Sequence, residues 1–126
     1  MSDYDIVIVG AGITGATMAL ALADSGLRIA VVDSKPLQDR TETPAATMPD
    51  YDARVSAMTA ASQRLLTQLG AWQLMPAGRV CAYTRMHVHE RDGTGSIDFA
   101  ARDIHAPELG HIVENSVLTG ALHDRL

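Results

Sequence analysis

The feature that most constrains this chain is a glycine-rich turn between two apolar stretches. Gly10, Gly12 and Gly15 follow directly after the β-branched stretch Tyr4–Val9, and an Ala- and Leu-rich stretch covers Ile13–Ser25. The first stretch predicts a strand buried in a parallel sheet, and the second predicts a helix. A strand, a tight turn and a helix in this order predict the start of an α/β fold.

A second apolar stretch completes the unit. Leu27–Val32 predicts another strand, and Gly26 before it can end the helix in a left-handed conformation. The three elements make a βαβ unit of about thirty residues, with an expected right-handed crossover. The uncharged run Ile6–Ala23 approaches the length of a membrane span, but its flank is acidic and its period changes at the glycines. A buried strand, turn and helix is therefore the better interpretation.

The glycines and a later acid form a pattern typical of dinucleotide binding. Gly10 permits a sharp turn, Gly12 leaves room for a pyrophosphate, and Gly15 lets the helix pack close to the strand. The backbone N–H groups at the start of the helix would face the phosphates. Asp33, eighteen residues after Gly15, can accept hydrogen bonds from both ribose hydroxyls and would repel a 2′-phosphate, which disfavours NADP. These residues do not separate FAD from NAD, and a ligand-free turn is the alternative.

The middle of the chain predicts a loop and a helix. Ser34–Asp50 contains three prolines among polar residues and is expected to form a surface loop. A helix is expected from Thr59 or Ala60 to Leu69, with Thr59 as its N-cap and Gly70 closing its end. The predicted apolar stripe of this helix comprises Ala61, Leu65, Leu66 and Leu69.

Antiparallel patterning begins near residue 80. Val80–His89 alternates in polarity and predicts one strand, Asp92-Gly93 predicts a two-residue hairpin turn, and Ser96–Phe99 predicts the return strand. A last helix is expected to begin with Asn115 as its N-cap. Its predicted inward-facing residues are Val117, Leu118, Ala121 and Leu122. The sequence stops inside this helix, so we expect the N-terminal part of a longer protein.

Composition limits the classes of function. The net charge of −5 lacks the basic excess expected of a nucleic-acid binder. Cys81 is the single cysteine, so neither an intrachain disulfide nor a four-cysteine zinc site can form, and a reducing cytoplasmic setting is the simplest interpretation. His87 and His89 could bind a metal from one strand face, but a solvated strand face is favoured. We therefore expect no metal site.

Three further stretches resemble a known family. Asp52–Ser62, Leu69–Gln73 and Leu109–Leu118 are similar to the flavin-dependent aromatic hydroxylases of ubiquinone biosynthesis, which belong to the para-hydroxybenzoate hydroxylase type of monooxygenase. The Val-Glu-Asn run in the third stretch most resembles the branch that acts on polyprenyl phenols and benzoquinols. The resemblance favours FAD over NAD. Asp33 stands where relatives often carry Glu, one methylene longer.

The resemblance implies an α/β fold: a Rossmann-like FAD-binding βαβ unit with parallel strands, then a helix and the start of an antiparallel substrate-side sheet, in an incomplete domain. Residues 1–79 would bind the ADP half of FAD, residues 80–100 would begin the substrate-side sheet, and residues 101–126 would return to the FAD domain. No catalytic residue is expected, because the flavin carries the difficult step. The expected cofactor-binding residues are Gly10, Ala11, Gly12, Ile13, Thr14, Gly15, Asp33, Arg54 and Asn115.

Two of these residues have structural alternatives. Arg54 would approach the pyrophosphate and ribitol of FAD, since a guanidinium suits phosphate oxygens; the alternative is an ion pair with Asp50 or Asp52. Asn115 would lie near the same part of the cofactor, and its alternative is a helix cap alone.

The activity implied by the resemblance is hydroxylation of a polyprenyl phenol or benzoquinol with O₂, through a flavin C4a-hydroperoxide and with NAD(P)H or another reductant as electron donor. The whole enzyme would be cytoplasmic and would meet the inner membrane or a ubiquinone-biosynthesis complex through segments outside these residues.

The 126 residues alone are expected to be inactive, to retain flavin poorly and to self-associate through an open strand edge. A different FAD- or NAD-dependent oxidoreductase and a non-enzymatic nucleotide-binding module remain alternatives.

Overall fold

The computed structural model describes residues 3–37 and 51–126, so residues 38–50 of the predicted surface loop lie outside the described residues. The described residues form a mixed arrangement of α-helices and β-strands. The strands are β1 (Ile6–Val9), β2 (Ile29–Val32), β3 (Val55–Thr59), β4 (Val80–Tyr83), β5 (Arg85–His89), β6 (Ser96–Ala100) and β7 (Gly110–Glu114). The α-helices are α1 (Ile13–Ala21), α2 (Ala60–Gln68) and α3 (Asn115–His123).

The predicted βαβ unit is confirmed. β1 and β2 pair in parallel, and α1 connects them. Both strands begin two residues later than predicted, because Asp5 and Arg28 pair through side chains and backbone just before the ladder. α1 ends at Ala21, a short 3₁₀ helix follows, and Gly26 then closes the segment with a φ of 76°. The left-handed stop at Gly26 is therefore also confirmed.

A three-stranded antiparallel sheet has the order β3–β7–β4. Its central strand β7 pairs with β3 from Gly110 to Glu114 and with β4 from Gly110 to Val113. Neither β3 nor β7 is predicted as a strand from the sequence. β3 contains Ser56 and Ala57, which have little β-propensity, so pairing with β7 rather than local preference determines its conformation.

The prediction of one continuous strand over Val80–His89 is wrong. Tyr83 is the last residue that pairs with β7, and its partner is Gly110. A second ladder begins at Arg85, which pairs with Ala100 of β6. Thr84 lies between the two ladders, and its carbonyl accepts a hydrogen bond from the N–H of Ala101. Alternating polarity is the same in one long strand and in two short strands, so the pattern could not show this change of partner.

The hairpin β5–β6 is confirmed, but the predicted two-residue turn is wrong. His89 pairs with Ser96, and the N–H of Glu90 donates to the carbonyl of Gly95, so Asp92-Gly93 lies within a wider loop. The apolar side chains on one face of this hairpin remain exposed: Met86, Val88, Ile97 and Phe99. His87 and His89 lie on β5, also exposed, and His87 Nδ1 is 2.7 Å from Asp98 Oδ1.

The core forms where α3 packs against α1, α2 and β7. The inward face predicted for α3 is confirmed, and its four residues Val117, Leu118, Ala121 and Leu122 are buried together with Val113 and Ala16. The predicted stripe of α2 is only partly right. Leu66 is buried and Leu69 is half-buried, whereas Ala61 and Leu65 are exposed. The caps predicted for α2 are confirmed, since Thr59 Oγ1 accepts from the N–H of Ser62 and Gly70 has a φ of 75°.

In the part of the chain that the structure describes, no helix combines the length and apolar character needed to cross a bilayer.

Replacing Leu118 by Ala tests this core. Leu118 is fully buried, so the lost contacts and the resulting cavity should lower the free energy of unfolding by about 2–5 kcal/mol. Leu65→Ala is the matched control, because Leu65 is exposed, and it should change stability by only about 0.5 kcal/mol. Urea unfolding followed by circular dichroism measures both, and equal effects would contradict the core assigned to α3.

Candidate functional site

A cleft of about 960 Å³ lies at the carboxyl ends of β1 and β2, where ligands bind in open α/β sheets. All nine residues predicted to bind the cofactor line it: Gly10, Ala11, Gly12, Ile13, Thr14, Gly15, Asp33, Arg54 and Asn115. The cleft therefore brings together residues from the glycine turn, the end of β2, the segment before β3 and the start of α3. Seven further lining residues were not predicted: Val9, Lys35, Pro36, Leu37, Ser116, Thr119 and His123.

The three glycines have different physical roles in the turn. Gly10 has a φ of 101°, a conformation that residues with a side chain rarely adopt. A Cβ at Gly15 would collide with the carbonyl oxygen of Gly10, so close packing of α1 on the turn requires glycine there. A Cβ at Gly12 would meet no atom within 4 Å. Gly12 is therefore dispensable for packing, and its missing side chain leaves space in the cleft.

The N-terminus of α1 opens into this space. Gly12 is its N-cap residue, no described side chain caps it, and its first turn carries no acidic residue. Backbone N–H groups at such a helix end, together with the positive end of the helix dipole, bind anions such as phosphates. The donor set and the missing Cβ atoms of the turn fit the pyrophosphate of a dinucleotide.

Asp33 connects β2 to the glycine turn. Its Oδ2 accepts a hydrogen bond of 2.6 Å from the N–H of Ala11, and its Oδ1 accepts one of 2.9 Å from the N–H of Lys35. These bonds, the one from Ala11 foremost, lower the pKa of Asp33 below its usual value and keep it ionised. A carboxylate has about four acceptor positions, so Asp33 can still accept from ribose hydroxyls.

Arg54 lies in the cleft and also near Asp52. Its Nε is 3.8 Å from Asp52 Oδ1, and its side chain is 84% exposed, so the ion pair is weak and the guanidinium remains available to a ligand. Asp52 also accepts from the N–H of Arg54 at 2.9 Å, which is the main reason why the pKa of Asp52 is lowered. The structure thus contains the ion pair with Asp52 that was the alternative for Arg54, and Arg54 also lines the cleft.

Asn115 is the first residue of α3 and not its N-cap, so the predicted capping role is wrong. The N-cap residue is Glu114, whose carboxylate binds other groups. Asn115 Oδ1 accepts a hydrogen bond of 2.6 Å from Ser56 Oγ, and the Asn115 N–H donates to the carbonyl of Arg54 at 2.9 Å. Asn115 thus joins α3 to the segment that carries Arg54.

A buried ion pair supports this junction. Glu114, only 4% exposed, accepts two hydrogen bonds from the guanidinium of Arg79, at 2.5 Å from Nε and 2.6 Å from Nη2. Its Oε2 also accepts from the N–H of Asp52 at 2.6 Å. The Arg79 guanidinium lies 4.5 Å from the centre of the Tyr51 ring. The contact with Arg79, above all, lowers the pKa of Glu114.

Two groups of residues that shape the site are not predicted from the sequence. Asn115, Thr119 and His123 recur every four residues, which places them on one polar stripe of α3 beside its apolar stripe. This periodicity could have indicated Thr119 and His123. Glu114 stands in the apolar run of β7, and a lone acid in such a run could have indicated a buried partner, although nothing in the sequence identifies Arg79.

Among the described ranges 3–37 and 51–126, no three His, Cys, Asp or Glu side chains are grouped as a metal site requires.

Substitutions at two glycines separate packing from ligand space. Gly15→Ala should destabilise the fold, because the new Cβ meets the Gly10 carbonyl oxygen. Gly12→Ala should leave the urea midpoint nearly unchanged and should weaken FAD binding, because its Cβ enters the empty part of the cleft. Urea unfolding and flavin fluorescence titration measure the two effects, and a Gly12→Ala variant that binds FAD as the wild type does would contradict the site.

The Glu114–Arg79 pair predicts a pH dependence of stability. The pKa of Glu114 in the folded protein lies below its ordinary value of 4.5, so its stabilisation is complete above that value and disappears as the pH falls through the lowered pKa. Glu114→Gln should be strongly destabilised at neutral pH, because the buried Arg79 charge loses its partner. The difference in urea midpoint between wild type and variant should shrink as the pH falls below 4.5 and through the lowered pKa of Glu114. A difference that does not vary with pH would contradict this assignment.

Comparison with characterised proteins identifies relatives along almost the whole chain. The chain is 37% identical to 3-demethoxyubiquinol 3-hydroxylase of Escherichia coli (strain K12) over 124 residues, which are 97% of this chain and 30% of that protein. It is 34% identical to ubiquinone hydroxylase UbiL of Rhodospirillum rubrum, covering 97% of this chain and 27% of that protein. The mitochondrial ubiquinone biosynthesis monooxygenase COQ6 of Homo sapiens is 32% identical, covering 98% of this chain and 26% of that protein. The chain thus spans less than a third of the length of these relatives.

Two solved structures share the fold. The peptidyl tryptophan dihydroxylase QhpG superposes with a TM-score of 0.57 and 18% identity, covering 98% of this chain and 23% of that one. The p-nitrophenol 4-monooxygenase PnpA of Pseudomonas putida DLL-E4 superposes with a TM-score of 0.60 and 17% identity, covering 95% of this chain and 28% of that one.

The family assignment covers the glycine turn, the acid after β2 and most of the antiparallel strands. Residues 5–103 match the sequence model of the FAD dependent oxidoreductases. The uncapped helix end, the space at Gly12 and the carboxylate of Asp33 fit the cofactor that this description names. The chain belongs to the family of FAD dependent oxidoreductases.

Proposed function

We propose that this chain binds the ADP half of FAD in the cleft, as part of a monooxygenase that hydroxylates a polyprenyl phenol or benzoquinol in ubiquinone biosynthesis. The observation that carries the proposal is the meeting of all nine expected residues at one cleft. The 3-demethoxyubiquinol 3-hydroxylase and the ubiquinone hydroxylase UbiL each align with 97% of the chain.

The residues divide the binding of FAD between them. The N–H groups at the start of α1 would meet the pyrophosphate, and Asp33 would accept from the ribose of the adenosine half. Arg54, mostly exposed in the cleft, would neutralise phosphate charge from the opposite side. Asn115 would hold Arg54 in place through the backbone bond to the Arg54 carbonyl.

When bound, FAD supplies the activation of O₂ from which one oxygen atom passes to the aromatic ring. The described residues bind and orient the cofactor, and none of them is assigned a catalytic role. NAD(P)H or another reductant would deliver the electrons. A membrane or ubiquinone-biosynthesis complex would be met through segments outside these residues, since substrates with polyprenyl chains reside in membranes.

FAD titration of the chain tests the binding step. Asp33→Ala should weaken FAD binding by about tenfold, because hydrogen bonds to an ionised group are lost. Asp24→Ala is the matched control, since Asp24 is an exposed acid in the short helix after α1 and should bind FAD as the wild type does. NADP should not compete with FAD. Equal affinities of wild type and Asp33→Ala would contradict the ribose contact.

A chimaera tests the hydroxylation. This chain would replace the aligned segment of the Escherichia coli 3-demethoxyubiquinol 3-hydroxylase, to which it is 37% identical. The chimaera should bind FAD and hydroxylate the quinol substrate of that enzyme, and Asp33→Ala in the chimaera should lose both properties. A folded, FAD-loaded chimaera without hydroxylation would contradict the proposed activity and leave FAD binding supported.

The strand β1 supports a proposal of self-association. Within the described residues β2 is its one partner strand, and on β1 Val7 is 57% and Val9 is 85% exposed. An open apolar edge pairs readily with another chain. Light scattering should give a mass above the 13.4 kDa of one chain, and Val7→Lys should restore the monomer while Ile104→Lys, at another exposed apolar position, should not. A wild-type monomer at high concentration would contradict this.

A further inference from the structure

The peptide groups of Ala11 are held by two different parts of the chain. The Ala11 N–H donates to Asp33 Oδ2 at 2.6 Å, and the Ala11 carbonyl oxygen lies 2.6 Å from His123 Nε2. Gly10 before it donates its N–H to the carbonyl of Val32 at 2.7 Å. The turn is thus fixed on one side by β2 and on the other side by the last residue of α3.

The contact with Ala11 requires a proton on His123 Nε2. A carbonyl oxygen only accepts hydrogen bonds, so His123 Nε2 must carry a proton and donate it. This bond uses the Ala11 carbonyl, which would otherwise present a partial negative charge at the entrance to a phosphate site. His123 itself lines the cleft, half-buried, one helical turn beyond Thr119.

α3 is a rigid support for this contact. Its inward face, including Leu118 and Leu122, is fully buried, and its first turn is joined to the segment before β3 through Asn115. Glu114, immediately before α3, is fixed by the buried pair with Arg79. Because α3 is held in place by these contacts, His123 stays within hydrogen-bonding distance of Ala11. The position of α3 therefore determines the position of the turn.

We propose that His123 is a positioning residue of the cofactor site, which holds the Gly10–Gly12 turn in its binding conformation through the Nε2–H bond to the Ala11 carbonyl. This inference rests on the proposed binding of FAD in the cleft. Asp33 and His123 act on the two sides of one residue, so the turn keeps the conformation in which its remaining N–H groups face the phosphates before any ligand arrives. Preorganisation of this kind raises affinity because binding orders less of the site.

Two variants of different hydrogen-bonding capacity test the proposal. His123→Leu keeps the bulk and loses the donor. FAD and ADP affinity should then fall by about tenfold, since the turn is held only from the side of β2 and Asp33. His123→Gln places an amide N–H near the position of Nε2 and should restore affinity to within about threefold of the wild type. His89→Leu, an exposed histidine of β5, is the control and should not change affinity.

Magnetic resonance supplies a readout that does not depend on FAD. The nitrogen shifts of His123 should show the tautomer protonated at Nε2, and the amide of Ala11 should exchange faster in His123→Leu than in wild type and His123→Gln. A tautomer protonated only at Nδ1, or equal affinity and exchange in all three proteins, would overturn the positioning role. Loss of affinity in both variants with exchange at Ala11 unchanged would also overturn it. If the wild type binds neither FAD nor ADP while the tautomer and the exchange behave as expected, the proposed function fails and the positioning of the turn stands.

Discussion

The contact between Gly15 and the carbonyl of Gly10 is the constraint on which the rest of the site depends. Only a residue without Cβ lets α1 begin so close to the end of β1. That closeness directs the uncapped N–H groups of α1 into the space beyond the strands, and it brings Ala11 within reach of Asp33 at the end of β2. The dinucleotide site that we propose would therefore be formed mostly by backbone, so few side chains of the turn would need a particular chemistry.

The opposite wall of the cleft depends on a different kind of interaction. Glu114 and Arg79 form a buried ion pair at the junction between β7 and α3, and Glu114 also accepts from the backbone of Asp52. Asp52 in turn accepts from the N–H groups of Arg54 and Ser116. A buried pair of this kind contributes little net stability compared with apolar packing, but it enforces one arrangement because each charge is costly without the other. The arrangement it enforces here carries Arg54 and Asn115 to the cleft.

The sequence predicts the βαβ unit well because each of its signals is local. A β-branched run, three glycines, an Ala-rich segment and Asp33 lie in order along the chain, and each has its own physical reason. The antiparallel part was predicted less well. Val80–His89 divides at Thr84 because two different strands pair with its halves, and β3 becomes a strand only because β7 lies beside it. Pairing partners are non-local information, and alternation along one segment does not contain them. His123 shows the same limit, because its contact spans 112 residues.

Asp33 combines two roles that are usually considered separately. The carboxylate is the expected ribose acceptor, yet in the structure it already accepts from the backbone of Ala11 and of Lys35. The short side chain of Asp lets the carboxylate reach the turn from the end of β2, whereas a Glu at this position, one methylene longer, would have to fold back to make the bond to Ala11. The same bonds that hold the turn also lower the pKa of the carboxyl, so it stays ionised as the strong acceptor that a ribose hydroxyl needs.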